Sequence, residues 1–124
     1  MNASVCKNSW SSLSERPLVT FVRGPIVSTL GAINNPAVPS ISLAYLSSAV
    51  RKAGFPIEWV DGIAEGLDVF WPLPDQPGYQ GQGLTIGEIV ERVPSASGVI
   101  AINAMFSGEW PVTRLLIGAL RRKF

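Results

Sequence analysis

The sequence predicts an α/β protein built on an open, doubly wound parallel sheet. Three observations carry that expectation. Short β-rich runs alternate with amphipathic helical segments in the order β-α-β-α-β-α, a helix of about 14 residues separates the first two runs, and the last run is apolar without alternation. A strand-helix-strand crossover implies parallel neighbours, and an unbroken apolar strand implies cover on both faces of the sheet.

Residues 1–16 read as a mobile leader rich in Ser and Asn, with no apolar run of signal-peptide length, so the domain is expected over residues 17–124. Leu18, Val19, Thr20, Phe21 and Val22 form the first strand, which ends at Arg23, Gly24 and Pro25. The Gly, Asn and Pro content of residues 24–39 predicts a long loop. Pro39 and Ser40 open a helix whose apolar stripe is Leu43, Leu46, Val50 and Ala53. Arg51 and Lys52 complement the dipole at its end, and Gly54 supplies a left-handed stop. Ile57 to Asp61 is the second strand. Residues 62–83, with Trp71, Pro72, Pro74 and Pro77, predict a second irregular segment, long for a compact domain. Thr85 and Glu88 then match a capping box, and Ile86, Ile89, Val90 and Val93 form one face of a helix that Pro94 stops. Gly98 to Ile102 is the third strand. Pro111 opens the third helix, lined by Val112, Leu115, Leu116, Ala119 and Leu120 and running to Phe124. The ordering is Rossmann-like or flavodoxin-like. The sheet is expected to be incomplete, because so apolar a third strand leaves an unprotected edge.

Hydrophobic residues make up 47% and charged residues 15%, against a usual charged share of about a quarter, so further chain or a partner is expected to cover apolar surface. The net charge is +1, and the basic residues are scattered except for Arg121, Arg122 and Lys123, which suit a helix C-terminus; nucleic acid is not an expected partner. A single cysteine, Cys6, permits neither a disulfide framework nor a thiolate cluster, and fits a reducing, cytoplasmic location. The absence of histidine removes His-dependent triads, imidazole-ligated zinc and imidazole acid/base pairs. No stretch approaches the roughly 18 consecutive apolar residues of a membrane span, so no membrane partner is expected.

In an open parallel sheet the ligand crevice lies beyond the carboxyl ends of the strands, here the loops after Val22, Asp61 and Ile102. The first loop holds Gly24 and Gly31, but neither a G-x-G-x-x-G fingerprint nor the lysine of a P-loop. Asp61 either accepts hydrogen bonds from a ribose or caps the following turn. Trp59 reads as core, whereas Trp71 and Trp110 are placed for a ligand or a partner. Ser28, Ser107 and Glu109 read as loop and cap residues. No nucleophile stands beside a base, so catalysis by this chain alone is not expected.

From Pro17 onward the chain runs LVTFVRGP, NNPAVPSISLAYLSSAVRKAGFPIEWVDG, IAEGLDVFWPLPDQPGYQGQGLTIGEIVERVP and GVIAINAMFSGEWPVTRLLIGALRRKF. The most telling piece is the proline before a helix containing LAYL, with KAGF leading into a strand that ends in Asp61. In order and spacing these segments resemble the cobalamin-binding domain that leads radical S-adenosylmethionine (radical SAM) proteins. The resemblance implies a corrin lying across the carboxyl ends of the strands. Its implied contacts are Arg23, Gly24 and Pro25 after the first strand, and Asn103, Ala104, Met105, Phe106 and Ser107 after the third. The broader superfamily supplies a lower cobalt ligand from an Asp-x-His-x-x-Gly motif; without histidine, this chain would leave cobalt without an imidazole. The family's further strands, with their Gly-Gly turn, and its three-cysteine motif are not in the sequence, which implies a truncated or split domain. S-adenosylmethionine and the 4Fe-4S cluster would then belong to a downstream or separate radical SAM catalytic domain, the implied partner. The competing expectation is a cofactor-free, flavodoxin-like interaction or regulatory domain in which the loop of Trp71 and Pro72 docks a partner. A nucleotide-dependent enzyme fragment, such as the front half of a glycosyltransferase, lacks the phosphate-binding motif it would need.

Overall fold

Strand β1 (Leu18–Arg23) runs through the centre of the molecule in a computed structural model that describes residues 16–32 and 38–124. The expected leader, apart from Arg16, and residues 33–37 of the first expected loop lie outside the described residues. Strands β3 (Ile57–Asp61) and β6 (Ser97–Ile102) pair with β1 in parallel on either side, in the order β3-β1-β6. Alternation along β1 divides its residues between two layers. Val19 and Phe21 join Leu43 of helix α1 (Ile41–Lys52), flanked by Val50, Phe55 and Ile57. Val22 joins Val60 and, from the opposite face, Ile89 and Val93 on and after helix α2 (Ile86–Arg92) with Leu116 and Leu120 of helix α3 (Trp110–Lys123). Helices therefore cover both faces, as a doubly wound Rossmann-like or flavodoxin-like sheet requires. Full burial of an aliphatic side chain is worth about 1.5–3 kcal/mol, so the α2/α3 layer, with seven buried hydrophobic residues against three in the α1 layer, carries the larger share of stabilisation.

Three details of this layering differ from expectation, the first being that Leu115, read as lining the third helix, is 49% exposed while Thr113 is buried on that helix. The inward stripe of α1 is buried Leu43 and Ser47 with half-buried Val50, while Leu46 is 56% exposed. Ser47 can face inward because its hydroxyl donates to the carbonyl of Ala44 at 3.0 Å. Strand β6 is not covered on both faces either: it is an edge strand, and Gly98 and Val99 are exposed. The crossover through α1 leads from β1 to β3, which leaves Val99, at the other edge and on the α1 face, without a helix above it.

The larger correction concerns residues 24–39 and 62–83, expected as loops. They hold a second, three-stranded antiparallel sheet in the order β2-β5-β4, made of β2 (Ile26–Thr29), β4 (Phe70–Pro72) and β5 (Tyr79–Gln82). Ile26 pairs with Gln82 and Thr29 with Tyr79, while Phe70 and Pro72 oppose Gln82 and Gln80. Ser28 is thus a strand residue, its hydroxyl accepting from the Gln80 amide at 3.4 Å. Pro72 stands on β4, an edge strand where a missing donor is tolerated. Gly81 gives the Trp71 ring its seat: a Cβ there would come within 2.5 Å of the indole, whose N–H donates to the Gly83 carbonyl at 3.1 Å.

The expected start of α2 is present in full. The Glu88 carboxylate accepts from the Thr85 backbone N–H at 2.8 Å, and the Thr85 hydroxyl accepts from the Glu88 N–H at 3.4 Å. At its other end, Lys123 of α3 donates to the carbonyls of Val90 at 2.6 Å and Val93 at 3.2 Å. One member of the basic trio therefore closes a neighbouring helix rather than its own.

Candidate functional site

Beyond the carboxyl ends of β1 and β6 lies a cleft of about 310 Å³. Its floor follows from how the parallel ladder ends. The Asn103 N–H still donates to the Val22 carbonyl at 3.2 Å and the Gly62 N–H to the Arg23 carbonyl at 3.0 Å, after which the three chains diverge. Buried Pro25 redirects β1 into β2, forming one wall with Arg23 and Gly24. The start of α1 forms the opposite wall, tied to the exit of β6 by a 3.2 Å hydrogen bond from the Asn103 amide to the Ser40 hydroxyl.

The lining is two-sided. Val38, Ile41, Met105 and Phe106 face the cleft and remain 63%, 65%, 58% and 61% exposed, an apolar rim of the kind that marks a contact surface. The polar end holds Arg23 and Glu109. Arg23 lies 3.6 Å from a carboxylate oxygen of Asp61, with both side chains largely buried. Partial burial pushes the Glu109 carboxyl above the usual carboxylate range, and the Arg23 charge offsets part of that rise.

Six of the eight residues expected at a corrin converge here: Arg23, Gly24, Pro25, Asn103, Met105 and Phe106. Ala104 and Ser107 belong to the same segment and are exposed, but they do not line the cleft. A Cβ at Gly24 would make ordinary 3.6 Å contact with Leu116, so packing within the chain does not require glycine there. Val38 comes from the loop expected at the crevice, whereas Ser40, Ile41, Thr113 and Glu109 line the cleft without having been expected to. The signal for the α1 residues was available: the helix after the first strand of such a sheet starts at the carboxyl edge and faces the crevice. Glu109, read as a cap residue, is brought in by the approach to α3.

Other expectations resolve differently. Asp61 caps the following turn, one carboxylate oxygen accepting from the N–H groups of Ile63 and Ala64 at 3.1 Å each. Trp59, expected in the core, stacks on Phe21 with ring centroids 5.6 Å apart but is 36% exposed, because β3 is an edge strand. Trp71 is half-buried and lies outside the cleft lining, its N–H and part of its ring engaged within the small sheet. Trp110 is 51% exposed on the first turn of α3, outside the cleft lining. A second groove of about 410 Å³ beside β6 is lined by Ile100, Ile102, Ile117, Leu120, Arg121 and Phe124, and lacks convergent polar groups. Among the described residues, no set of three His, Cys, Asp or Glu side chains is arranged to hold a metal ion, and no helix is long and apolar enough to cross a membrane.

Fold and cleft together define an α/β protein of the open, doubly wound class with its crevice at the carboxyl ends of the parallel strands. No family model, curated protein or solved structure matches the chain.

Proposed function

We propose that this chain is a cobalamin-binding domain serving a radical SAM enzyme, with the corrin lying across the mouth of the cleft. The observation that carries the reading is the exposed apolar rim of Val38, Ile41, Met105 and Phe106 around a crevice at the strand ends. A flat macrocycle laid on that rim removes apolar surface from water at about 25 cal/mol per Å², and the cleft is too small to enclose a cobalamin whole. The residues present fit the group in that way.

Bound cobalamin would supply the alkyl-transfer or radical chemistry of its cobalt. The chain's own residues do the holding: the rim excludes water from the ring, Arg23 donates to peripheral acceptors and Glu109 accepts from peripheral donors. With no histidine in the sequence, this chain would supply no imidazole ligand to the cobalt. Catalysis, S-adenosylmethionine and the 4Fe-4S cluster belong, in this reading, to a downstream or separate catalytic domain in the cytoplasm.

Titrating the folded chain with hydroxocobalamin, followed by visible absorbance and equilibrium dialysis, is expected to give saturable binding. Equal corrin concentrations on the two sides of the membrane, with an unaltered spectrum, contradict the proposal and leave the cofactor-free interaction domain as the better account.

A further inference from the structure

We infer that the free edge of β6 is a docking site for an extended segment of a partner protein, apolar at its centre and acidic on either side, which adds to the parallel sheet as a further strand. The inference is independent of the cobalamin reading, because the groove beside β6 shares no lining residue with the cleft. An open ladder is the first observation behind it. The Asn103 N–H points to β1, where it donates to the Val22 carbonyl, so by alternation the N–H and C=O groups of Ile100 and Ile102 point away from the sheet. Such an edge is commonly blunted by a charge or a proline, and Ser97–Ile102 contains neither. Its register shift falls at Gly98 and leaves Val99 to Ile102 regular. Apolar surface flanks the same edge on both sides. Val99 is 47% exposed on the α1 face, and on the α3 face the groove of about 410 Å³ gives room for an aliphatic side chain against Ile100, Ile102 and Ile117. Successive side chains of an added strand alternate between those two faces.

Charge decides the occupant. Arg121 lines the groove, and Arg114, two helical turns earlier, lies on the same side of α3, about 10 Å away along its axis. Both arginines are exposed, and α3 contains no acidic residue. Even with the α-carboxylate of Phe124 set against them, this side stays positive. Two copies of the chain paired antiparallel through β6 would carry both α3 helices on one face of the joined sheet and bring these arginines together, which is repulsive. Carboxylates on the α3 face of a partner strand meet them instead. Residues four apart in a strand share a face and stand about 13 Å from each other, near the arginine spacing, and the residue midway between them on that face is left for the groove. The intervening positions turn to the α1 face, where Val99 calls for apolar side chains.

The test uses the full chain and two end-capped peptides, Val-Glu-Val-Leu-Val-Glu-Val and its counterpart with lysine in place of both glutamates. Calorimetric titration at low ionic strength is expected to show the glutamate peptide bound at least about tenfold more tightly. On binding it, the Ile100 and Ile102 amides are expected to exchange with solvent at least about tenfold more slowly, because new ladder hydrogen bonds form there. Replacing both arginines, Arg114→Gln with Arg121→Gln, is expected to bring the two peptides within about threefold of each other. Equal affinities in the wild type, an unchanged ratio in the double variant, unslowed exchange at Ile100 and Ile102, or no binding of either peptide overturns the inference. So does a chain that dimerises on its own with those two amides already protected, which assigns the edge to a second copy. Hydroxocobalamin binding is expected to be the same with and without the peptide, so failure of either reading leaves the other standing.

Discussion

Thr85 and Glu109 mark the two extremes of what a single position discloses in this sequence. The capping box of Thr85 and Glu88 is a local pattern, complete within four consecutive residues, so it is readable without tertiary knowledge. The Glu109 environment is made by burial and by Arg23, which is remote in sequence, so its place in the cleft was not legible. The two carboxyls are also pushed in opposite directions. Glu88 is held below the usual carboxylate range, first by the Thr85 backbone N–H and then by the Thr85 hydroxyl. Its contribution is thus present above its unfolded value and lost as pH falls through the lower folded one. Thr85→Ala is expected to cost about 1 kcal/mol in urea unfolding at neutral pH, the usual worth of an N-cap. The gap to wild type should narrow as acid protonates Glu88, and an undiminished gap would count against the shared hydrogen bonds. Glu109 has the opposite sign: its raised value favours the fold below the unfolded value, and that advantage is lost as pH rises through the folded one, which is why Glu109→Gln should not melt lower at neutral pH.

At the scale of elements, the three helices and three parallel strands were legible because each is long enough for its period to show: α1, β3, α2, β6 and α3 fall where apolar spacing and the stops at Gly54 and Pro94 put them. The antiparallel sheet was not. Its strands are three or four residues long, β4 contains Pro72 and β5 contains Gly81, and the pairing that stabilises them joins segments on either side of α1. The run Ile26, Val27, Ser28, Thr29, β-branched at all but Ser28, was the one local hint. The rotation of α1 was hidden for another reason, since a serine that satisfies its own hydroxyl counts as apolar in packing and polar in composition. The seat of Trp71 gives this level its prediction. Gly81→Ala forces a methyl against the indole and should destabilise the fold by about 1–3 kcal/mol, read as a lower denaturation midpoint. An unchanged midpoint would mean that the ring is free to leave.

For the whole molecule, the strand order β3-β1-β6 with helices on both faces places the carboxyl ends together, and that placement alone locates the cleft. This much could be argued from the sequence, because crossover handedness and crevice position are general rules. Which faces are covered could not, since the position of α1 toward β3 leaves the β6 edge and Val99 bare, although the run Gly98 to Ile102 reads as fully enclosed. The central claim is that the apolar rim of this cleft seats a corrin, and Ile41 tests it most directly. Ile41 is 65% exposed at the first turn of α1, where a carboxylate suits the helix dipole, so Ile41→Glu should fold and melt as the wild type does. Equilibrium dialysis with hydroxocobalamin is predicted to show its affinity reduced by more than about tenfold, the cost of setting a charge against the ring. Wild-type affinity in the folded Ile41→Glu variant would contradict the placement of the corrin at this cleft.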